Sequence, residues 1–142
     1  MENKLDISAL EKAAKAFENS LAFALKVEEK TAEIQVFFER EIARAAVIQH
    51  FEFTYELCWK TMKRYIEMDI GAEADILTRK DLFRLAAERR LITSFDQWVE
   101  FHQARNRTSH VYDEEVADEV YEITKAFINP LKEFLITMKE RI

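Results

Sequence analysis

The polar side chains that could do chemistry are concentrated in the stretch ARNRTSHVYDEE, residues 104–115. Asn106 and His110 are four residues apart and therefore share one face of a helix, and Arg105 lies one position round from Asn106. Arg105 and His110 are five residues apart, about 140° around an ideal helix, so they flank one broad face without meeting head-on. Tyr112 falls just past the predicted helix end, where it can fold back beside His110.

These residue types suit phosphodiester chemistry. A guanidinium neutralises a phosphate bidentately, and an imidazole moves a proton near neutral pH. His110 near a helix C-terminus feels the negative end of the dipole, which favours imidazolium. RNA supplies its own nucleophile, the 2′-hydroxyl, so this chemistry needs neither a metal nor a cofactor. On residue types alone, a solvated helix end with a capping histidine is the better interpretation, and a tyrosine packed in the core is the alternative for Tyr112.

Other kinds of site find less support. No histidine has a glutamate three positions earlier, so the Glu-x-x-His pairs of di-iron bundles are absent and no metal site is predicted. A single glycine excludes a Walker loop and a Gly-x-Ser-x-Gly elbow. Glu52 and Glu56 could pair as buried acids, but helix-interface residues bonded to a neighbour are the favoured interpretation. Cys58 is interpreted as a small core residue in preference to a reactive thiol.

Helices must position these side chains, because one glycine and one proline are too few for the turns of a sandwich or a barrel. Apolar periodicity predicts helices over about Ser8–Glu29 and Ala32–Asp69, a shorter helix within 72–92, a fourth helix from Ser94 to about His110, and a last helix from near Asp113. The local signals are capping pairs at Ser8 with Glu11, Thr78 with Asp81 and Ser94 with Gln97, a cap at Asp113, a left-handed Gly71, and Pro130 as a kink or local end.

Short turns between helices predict antiparallel neighbours, and therefore an up-and-down bundle of four main helices and a short one. Residues 1–142 are expected to form a single all-α domain. The second helix is apolar on several sides, which means that more than one neighbour buries it. Its aromatic residues exceed what one bundle face can bury, so we expect a homodimer; they are Phe37, Phe51, Phe53, Tyr55 and Trp59.

The charge distribution limits the kinds of partner. A net charge of −6 argues against a nucleic-acid binder that uses its whole surface, but it permits a local basic site. Segment 79–90 holds five cationic and two acidic side chains, a local charge of +3. A solvated face is the preferred interpretation of this segment, and an RNA-contacting patch is the alternative. No signal-peptide core and no window of about 18 apolar residues occur, so we expect a cytoplasmic protein without a membrane segment.

The polar stretch carries a resemblance to a known family. RNRTSH resembles the Arg-x4-His signature of HEPN domains, and RNRTSHVY resembles the Arg-x4-His-x-Tyr form of HepT-type toxins. VIQHFEFTYELCWKTMKRYI is similar to the second-helix signature of the nucleotidyltransferase substrate-binding branch, and NRTSHVYDEEVADEVYEITKAF continues the similarity. The resemblance runs from about Phe17 to Leu135. It departs from the family's pattern at His50, where relatives often carry arginine, and in segment 72–92.

The resemblance implies a dimeric helical bundle whose motif helices face each other across the dimer axis. It also implies a partner, a minimal nucleotidyltransferase encoded by a neighbouring gene. HepT-type members are metal-independent RNase toxins, and the partner silences them by adenylylating the motif tyrosine. Carried over, Arg105 and His110 are catalytic, Asn106 is supportive, and Tyr112 receives AMP. The alternative is a non-catalytic substrate-binding subunit for the nucleotidyltransferase; the RNase is favoured because all three motif positions are intact.

Overall fold

The computed structural model describes residues 5–30, 34–71 and 77–142, and no strand occurs in these ranges. The predicted start of the second helix at Ala32 lies outside the described residues, as does part of segment 72–92. None of the helices in the described ranges is long and apolar enough to cross a membrane. The helices are α1 (Ser8–Glu28), α2 (Ile34–Ile70), α3 (Arg79–Glu88), α4 (Phe95–Arg107) and α5 (Glu114–Arg141), and a 3-10 turn (Thr108–His110) links the last two.

Three of the predicted N-caps are confirmed. Thr78 accepts a hydrogen bond from the backbone N–H of Asp81 at 3.1 Å, and the Asp81 carboxylate accepts from the backbone N–H of Thr78 at 3.4 Å. Ser94 accepts from the backbone N–H of Gln97 at 3.2 Å, and the carboxylate of Asp113 accepts from two backbone N–H groups at the start of α5. Each cap satisfies donors that the first helical turn leaves without a partner, which fixes where the helix begins.

The capping box predicted for Ser8 and Glu11 is wrong. Ile7 occupies the N-cap position of α1 without a side-chain cap, and Ser8 is the first helical residue. The carboxylate of Asp6 accepts hydrogen bonds from the backbone N–H of Ser8 at 2.9 Å and from its hydroxyl at 2.7 Å. Because Ser8 is the first helical residue and not the N-cap, its hydroxyl does not accept a cap hydrogen bond, and it donates to Asp6 instead. These bonds, the backbone one first, lower the pKa of Asp6.

Two predictions concerned residues that could end a helix, and one of them is confirmed while the other is wrong. Gly71 follows α2 with a φ of 86°, and its N–H donates to the carbonyl of Glu67 at 2.7 Å, so the predicted left-handed glycine is confirmed. Pro130 does not end α5, which continues through it to Arg141, so a local end there is wrong. A proline inside a helix costs about 3 kcal/mol, and the buried Phe127 and Leu131 on either side contribute core packing that offsets this cost.

Contacts along the first two helices give their relative direction. Thr54 donates its hydroxyl to the carbonyl of Ala13 at 3.1 Å, which joins the middle of α2 to the start of α1. Arg40 donates to the carbonyl of Glu28 at 3.2 Å, which joins the start of α2 to the end of α1. Residue numbers rise along one helix as they fall along the other, so α1 and α2 are antiparallel.

The last two helices repeat this relationship. The ring of Trp98, near the start of α4, lies 5.9 Å from that of Phe134, near the end of α5. Arg107, at the end of α4, pairs with Glu119 near the start of α5. The helices α1, α2, α4 and α5 therefore form an up-and-down bundle with α3 as the short addition, and the predicted fold class is confirmed.

An aromatic cluster fills the core between the four long helices. The ring of Phe127 makes edge-to-face contacts with Phe17, Phe51, Phe101 and Trp98, with centroid distances of 5.4, 5.0, 4.9 and 5.7 Å. These five residues come from all four long helices, and each is at most 1% exposed. Such contacts stabilise beyond the area they bury, by about 0.5–1.5 kcal/mol per pair, so this cluster sets the relative positions of α2 and α4.

Cys58 lies on α2 and is completely buried. Burial raises the pKa of its thiol, because the thiolate would lose its hydration. The interpretation of Cys58 as a small core residue is therefore confirmed, and it is not a low-pKa, reactive cysteine.

The C-terminus of α3 contains a strained residue. Arg90 has a φ of 59°, which the Schellman geometry requires: Leu91 N–H bonds to the carbonyl of Ala86 at 2.8 Å, and Arg90 N–H to that of Ala87 at 3.0 Å. The Arg90 side chain is exposed, so Arg90→Gly removes strain without removing packing. We expect Arg90→Gly to raise the free energy of unfolding by about 0.5–1 kcal/mol, measured as the urea midpoint at constant slope.

The matched control for this prediction is Glu88→Gly, at the last residue of α3. Glu88 has right-handed backbone geometry, so glycine there gains nothing and loses helix propensity, at a cost of up to about 1 kcal/mol. Two changes to glycine within three residues should therefore shift the urea midpoint in opposite directions. A loss of stability in both variants would show that the left-handed residue carries no relievable strain.

Candidate functional site

The guanidinium of Arg105 is held by two neighbours. Its Nε donates to Oε1 of Glu56 at 3.1 Å, and its Nη1 donates to the hydroxyl of Thr108 at 3.1 Å. Thr108 is buried in the 3-10 turn, so it is a fixed acceptor. Glu56 is bonded across to α4 and does not pair with Glu52, and the predicted helix-interface role of Glu56 is confirmed. Arg105 and Glu56 each keep 31% of their side-chain surface exposed, so a ligand can reach the pair.

Glu56 is itself oriented from within α2. Its second oxygen, Oε2, accepts a hydrogen bond from the indole nitrogen of Trp59 at 2.9 Å. Each carboxylate oxygen therefore has one donor, Arg105 on α4 or Trp59 on α2. Since Arg105 uses Nε and Nη1 for these contacts, its Nη2 makes no hydrogen bond to the described residues and can donate to a ligand.

A second chain of polar contacts starts at Asn106. Its amide nitrogen lies 3.4 Å from Nε2 of His102, and Nδ1 of His102 lies 2.8 Å from the hydroxyl of Tyr55. Tyr55 is completely buried, and burial raises the pKa of its phenol. Burial also lowers the pKa of His102, with Arg79 as the next cause, so the ring is neutral at pH 7. One nitrogen of a neutral imidazole donates and the other accepts, so His102 connects the exposed Asn106 to the core.

Arg79 joins α3 to both groups of contacts. Its Nη1 donates to the hydroxyl of Tyr55 at 3.2 Å, and its guanidinium carbon lies 3.5 Å from the centroid of the Trp59 ring. Arg79 is the first residue of α3, directly after the Thr78 cap, so the cap determines where this side chain enters the site. The site is therefore built from α2, α3 and α4.

His110 and Tyr112 lie together on the surface after α4. His110 ends the 3-10 turn, and its ring lies edge-on to that of Tyr112 at a centroid distance of 6.1 Å, so the tyrosine folds back as predicted. Tyr112 is 84% exposed, which contradicts the alternative of a tyrosine packed in the core. The hydrogen bonds of Arg105 go to Glu56 and Thr108 and not to His110. Arg105 is therefore held at a partly buried position, and His110 and Tyr112 form a separate, exposed pair.

Sequence reasoning missed four members of the site: Tyr55, Trp59, Arg79 and His102. A signal existed for His102, because it lies four residues before Asn106 and three before Arg105 on the same helix. A weaker signal placed Tyr55 and Trp59 at helical spacing on α2. Arg79 gave no signal beyond its membership of the basic segment, because its position depends on how α3 packs against α2.

The charges of the site favour an anionic ligand. Arg79 and Arg105 contribute two positive charges and Glu56 one negative charge, while His102 is neutral. In the part of the chain that the structure describes, no carboxylate contacts Arg79. The site is therefore locally positive on a chain with a net charge of −6. A phosphate group is an anion whose oxygens match the donor spacing of a guanidinium.

Comparison with known proteins places the chain in a family. Residues 5–140 match the family described as nucleotidyltransferase substrate binding protein like. The chain belongs to this family. The family predicted from three sequence segments is thereby confirmed.

Individual members of the family, and proteins that share its fold, are also similar to this chain. A protein from Haemophilus influenzae named probable ribonuclease HepT is 34% identical over 124 residues, which cover 85% of this chain and 83% of that protein. A solved structure from the same organism, described as revealing the fold of a substrate binding domain of a nucleotidyltransferase, has a TM-score of 0.81 at 29% identity, and covers 94% of this chain and 99% of its own. A crystal structure from Thermus thermophilus shares the fold, with a TM-score of 0.71 at 23% identity over 91% of this chain and 98% of its own.

Proposed function

We propose that this chain is the HepT-like toxin of a toxin–antitoxin pair. In this proposal it is a metal-independent endoribonuclease, and a minimal nucleotidyltransferase encoded by a neighbouring gene neutralises it by adenylylating Tyr112. The observation that carries the proposal is the arrangement at the end of α4. Glu56 and Thr108 hold Arg105, whose Nη2 makes no hydrogen bond to the described residues, and an exposed His110–Tyr112 pair follows. A relative that is 34% identical and named probable ribonuclease HepT supports it.

Each residue has a distinct role in the proposed reaction. The 2′-oxygen of RNA attacks the adjacent phosphorus, so the P–O2′ bond forms while the P–O5′ bond breaks. Arg105 binds the charged phosphate oxygens, and His110 transfers a proton between the attacking or leaving oxygen and solvent. Asn106 supports the phosphate position with its amide, which His102 holds. The products are a 2′,3′-cyclic phosphate and a 5′-hydroxyl, and no step requires a metal ion.

The test of this function is RNA cleavage by the purified protein in the presence of a metal chelator. We expect cleavage to persist in chelator and the new ends to carry a 2′,3′-cyclic phosphate, which the attack of the internal nucleophile dictates. A protein that cuts no RNA under any condition, with chelator or with added divalent metal, would remove the nuclease role.

A second candidate function is a non-catalytic subunit that positions a substrate or a partner for the nucleotidyltransferase. The family description and the description of the Haemophilus structure favour it. It uses the same polar site but requires no proton transfer at His110. One measurement distinguishes the two functions. A binding subunit raises the turnover of the nucleotidyltransferase and leaves RNA intact, whereas an RNase cleaves RNA.

We expect the protein to be a homodimer. Phe51 and Tyr55, two of the five aromatic residues that motivated this expectation, are buried within one chain, so the argument rests on what remains exposed. One side of α2 presents an exposed stripe without a charged side chain, at helical steps of four, three, four and four; its members are Phe38, Ile42, Ala45, Gln49 and Phe53. Such a stripe is unusual in a chain with 34% charged residues and suits a second copy.

Light scattering at micromolar concentration tests the dimer. Ile42 is 71% exposed at the middle of the stripe, so Ile42→Glu places a charge in the interface and should yield monomers. The matched control is Ile136→Glu, at an exposed isoleucine on α5 that is not a member of the stripe, and the mass should not change. Only monomer in the wild-type protein would contradict the prediction.

A further inference from the structure

Two cations of the basic segment 79–90 pair with carboxylates, whereas Arg79 is held by a different kind of contact. Arg84 pairs with Asp81 at 3.3 Å, and Arg89 pairs with Asp69 at 2.7 Å, so both are neutralised on the surface. Arg79 instead contacts only neutral groups in the described ranges, the Trp59 ring and the Tyr55 hydroxyl. The preferred interpretation of the segment as a solvated face is therefore right for Arg84 and Arg89, and Arg79 requires a separate explanation.

The contacts of Arg79 leave most of its donors available. A guanidinium has five N–H donors, and Arg79 uses one of them on Tyr55. Stacking on Trp59 covers one flat face of the group, while the hydrogen-bond donors point outward from its edge. A guanidinium held flat in this way is oriented before a ligand arrives, which reduces the entropy lost on binding.

The same tryptophan connects Arg79 to Arg105. The ring of Trp59 lies under Arg79, and its indole N–H bonds to the carboxylate that holds Arg105. Arg79 donates to the Tyr55 hydroxyl, which lies 2.8 Å from Nδ1 of His102, and Arg105 follows His102 by three residues on the same helix. The two arginines are therefore parts of one site, arranged around Trp59 and Glu56.

We propose that Arg79 is a second phosphate-binding arginine of this site, which binds the RNA backbone phosphate next to the one bound by Arg105. The inference rests on the proposed function and names a substrate contact for it. A single carboxylate, Glu56, lies between two guanidinium groups, so one positive charge is left for an anion. Trp59 holds both donors at a fixed separation, which suits a polyanion with regularly spaced phosphates and not an isolated charge.

Binding can be measured without cleavage by using a 2′-O-methyl oligoribonucleotide, which lacks the attacking hydroxyl. We expect Arg79→Ala to weaken its binding on the order of tenfold at low salt. The slope of log affinity against log salt should fall in magnitude by about 0.7, the value for one contact to a single-stranded phosphate. On a cleavable RNA the same variant should raise KM more than it lowers kcat, because the contact is made to the bound ground state as well.

The matched control is Lys80→Ala, which removes the same charge from the next residue of α3, where the side chain is exposed. The affinity of Lys80→Ala for the oligonucleotide should stay within about twofold of the wild-type value. Its salt slope should fall by less than the amount expected for the loss of one phosphate contact. Arg79→Lys separates charge from stacking, because it keeps the cation and loses the flat guanidinium. We expect this variant to recover the salt slope, although a purely structural role would leave it as impaired as Arg79→Ala.

Two results would overturn the inference. One is an Arg79→Ala protein that folds, as judged by circular dichroism, and binds the oligonucleotide with the wild-type affinity and salt slope. The other is a wild-type protein that binds ATP at this site but not the oligonucleotide, which would assign the arginines to a nucleotide. A failure of the proposed RNase function gives a different result from a failure of the Arg79 contact. In that case the oligonucleotide still binds through Arg79, but cleavable RNA stays intact.

Discussion

Replacing His110 with alanine is expected to lower RNA cleavage by about 10²–10⁴-fold, the range that a positioned proton-transfer group contributes. The protein should keep its fold, because the His110 side chain is exposed and its ring packs against that of Tyr112, which is exposed as well. Affinity for the uncleavable oligonucleotide should stay within a few-fold, since the proposed phosphate contacts are those of Arg79 and Arg105. The measurement is single-turnover cleavage of a labelled RNA, together with a thermal melt of each protein.

Ser109→Ala is the matched control for His110. Ser109 lies one residue earlier in the same 3-10 turn, is exposed, and donates a long 3.4 Å hydrogen bond to the carbonyl of Asn106. Its loss should change cleavage by no more than a few-fold. Cleavage that survives His110→Ala at the wild-type rate would mean that another group transfers the proton, and the role of His110 would then be wrong.

The ends of most helices could be predicted because the chemistry that sets them is local. Thr78, Ser94 and Asp113 each bond to a backbone N–H within three residues, so a few letters of sequence contain the whole interaction. Ser8 failed although its pattern looked the same. The N-cap of α1 is Ile7, one residue before the predicted cap, so Ser8 lies inside the first turn and its hydroxyl donates to Asp6. A shift of one residue in the helix start is enough to remove a cap that the pattern places correctly in type but not in position.

The site was predicted less well, because its contacts join residues far apart in the chain. Arg105 and Glu56 are 49 residues apart, and Tyr55 and His102 are 47 apart. Spacing within α4 identifies which residues share a face, but it does not identify what α2 presents to that face. Arg79 is harder still, since its contact with Trp59 depends on the angle at which a short helix leaves its cap.

The exposure of the tyrosines decides which of them a partner enzyme can modify. Tyr55 is completely buried and Tyr121 is 8% exposed, and burial raises the pKa of both phenols. Tyr65 is half-buried. Tyr112 is 84% exposed at the end of the motif, so its hydroxyl is the phenol that an active site can enclose. In the proposed modification its oxygen attacks the α-phosphorus of ATP, an O–P bond forms, and pyrophosphate leaves.

Attachment of AMP to Tyr112 is expected to abolish RNA cleavage. The ring of Tyr112 lies 6.1 Å from that of His110, so a nucleotide on its oxygen occupies the space that RNA must enter. The new phosphodiester carries one negative charge, which can pair with Nη2 of Arg105 and repel the RNA backbone. One modification therefore acts on the site through both shape and charge. Cleavage assays on separated modified and unmodified protein measure this loss directly.

The substitution Tyr112→Phe separates modification from packing. The hydroxyl of Tyr112 makes no hydrogen bond to the described residues, so its removal should leave the melting temperature and RNA cleavage unchanged. The variant should, however, escape silencing when the nucleotidyltransferase and ATP are supplied. Tyr65→Phe, at a half-buried tyrosine, is the control and should be silenced like the wild-type protein.

Mass spectrometry after co-expression should find one AMP on the peptide that contains Tyr112. An unmodified peptide from a fully neutralised complex would mean that the partner inhibits by binding alone.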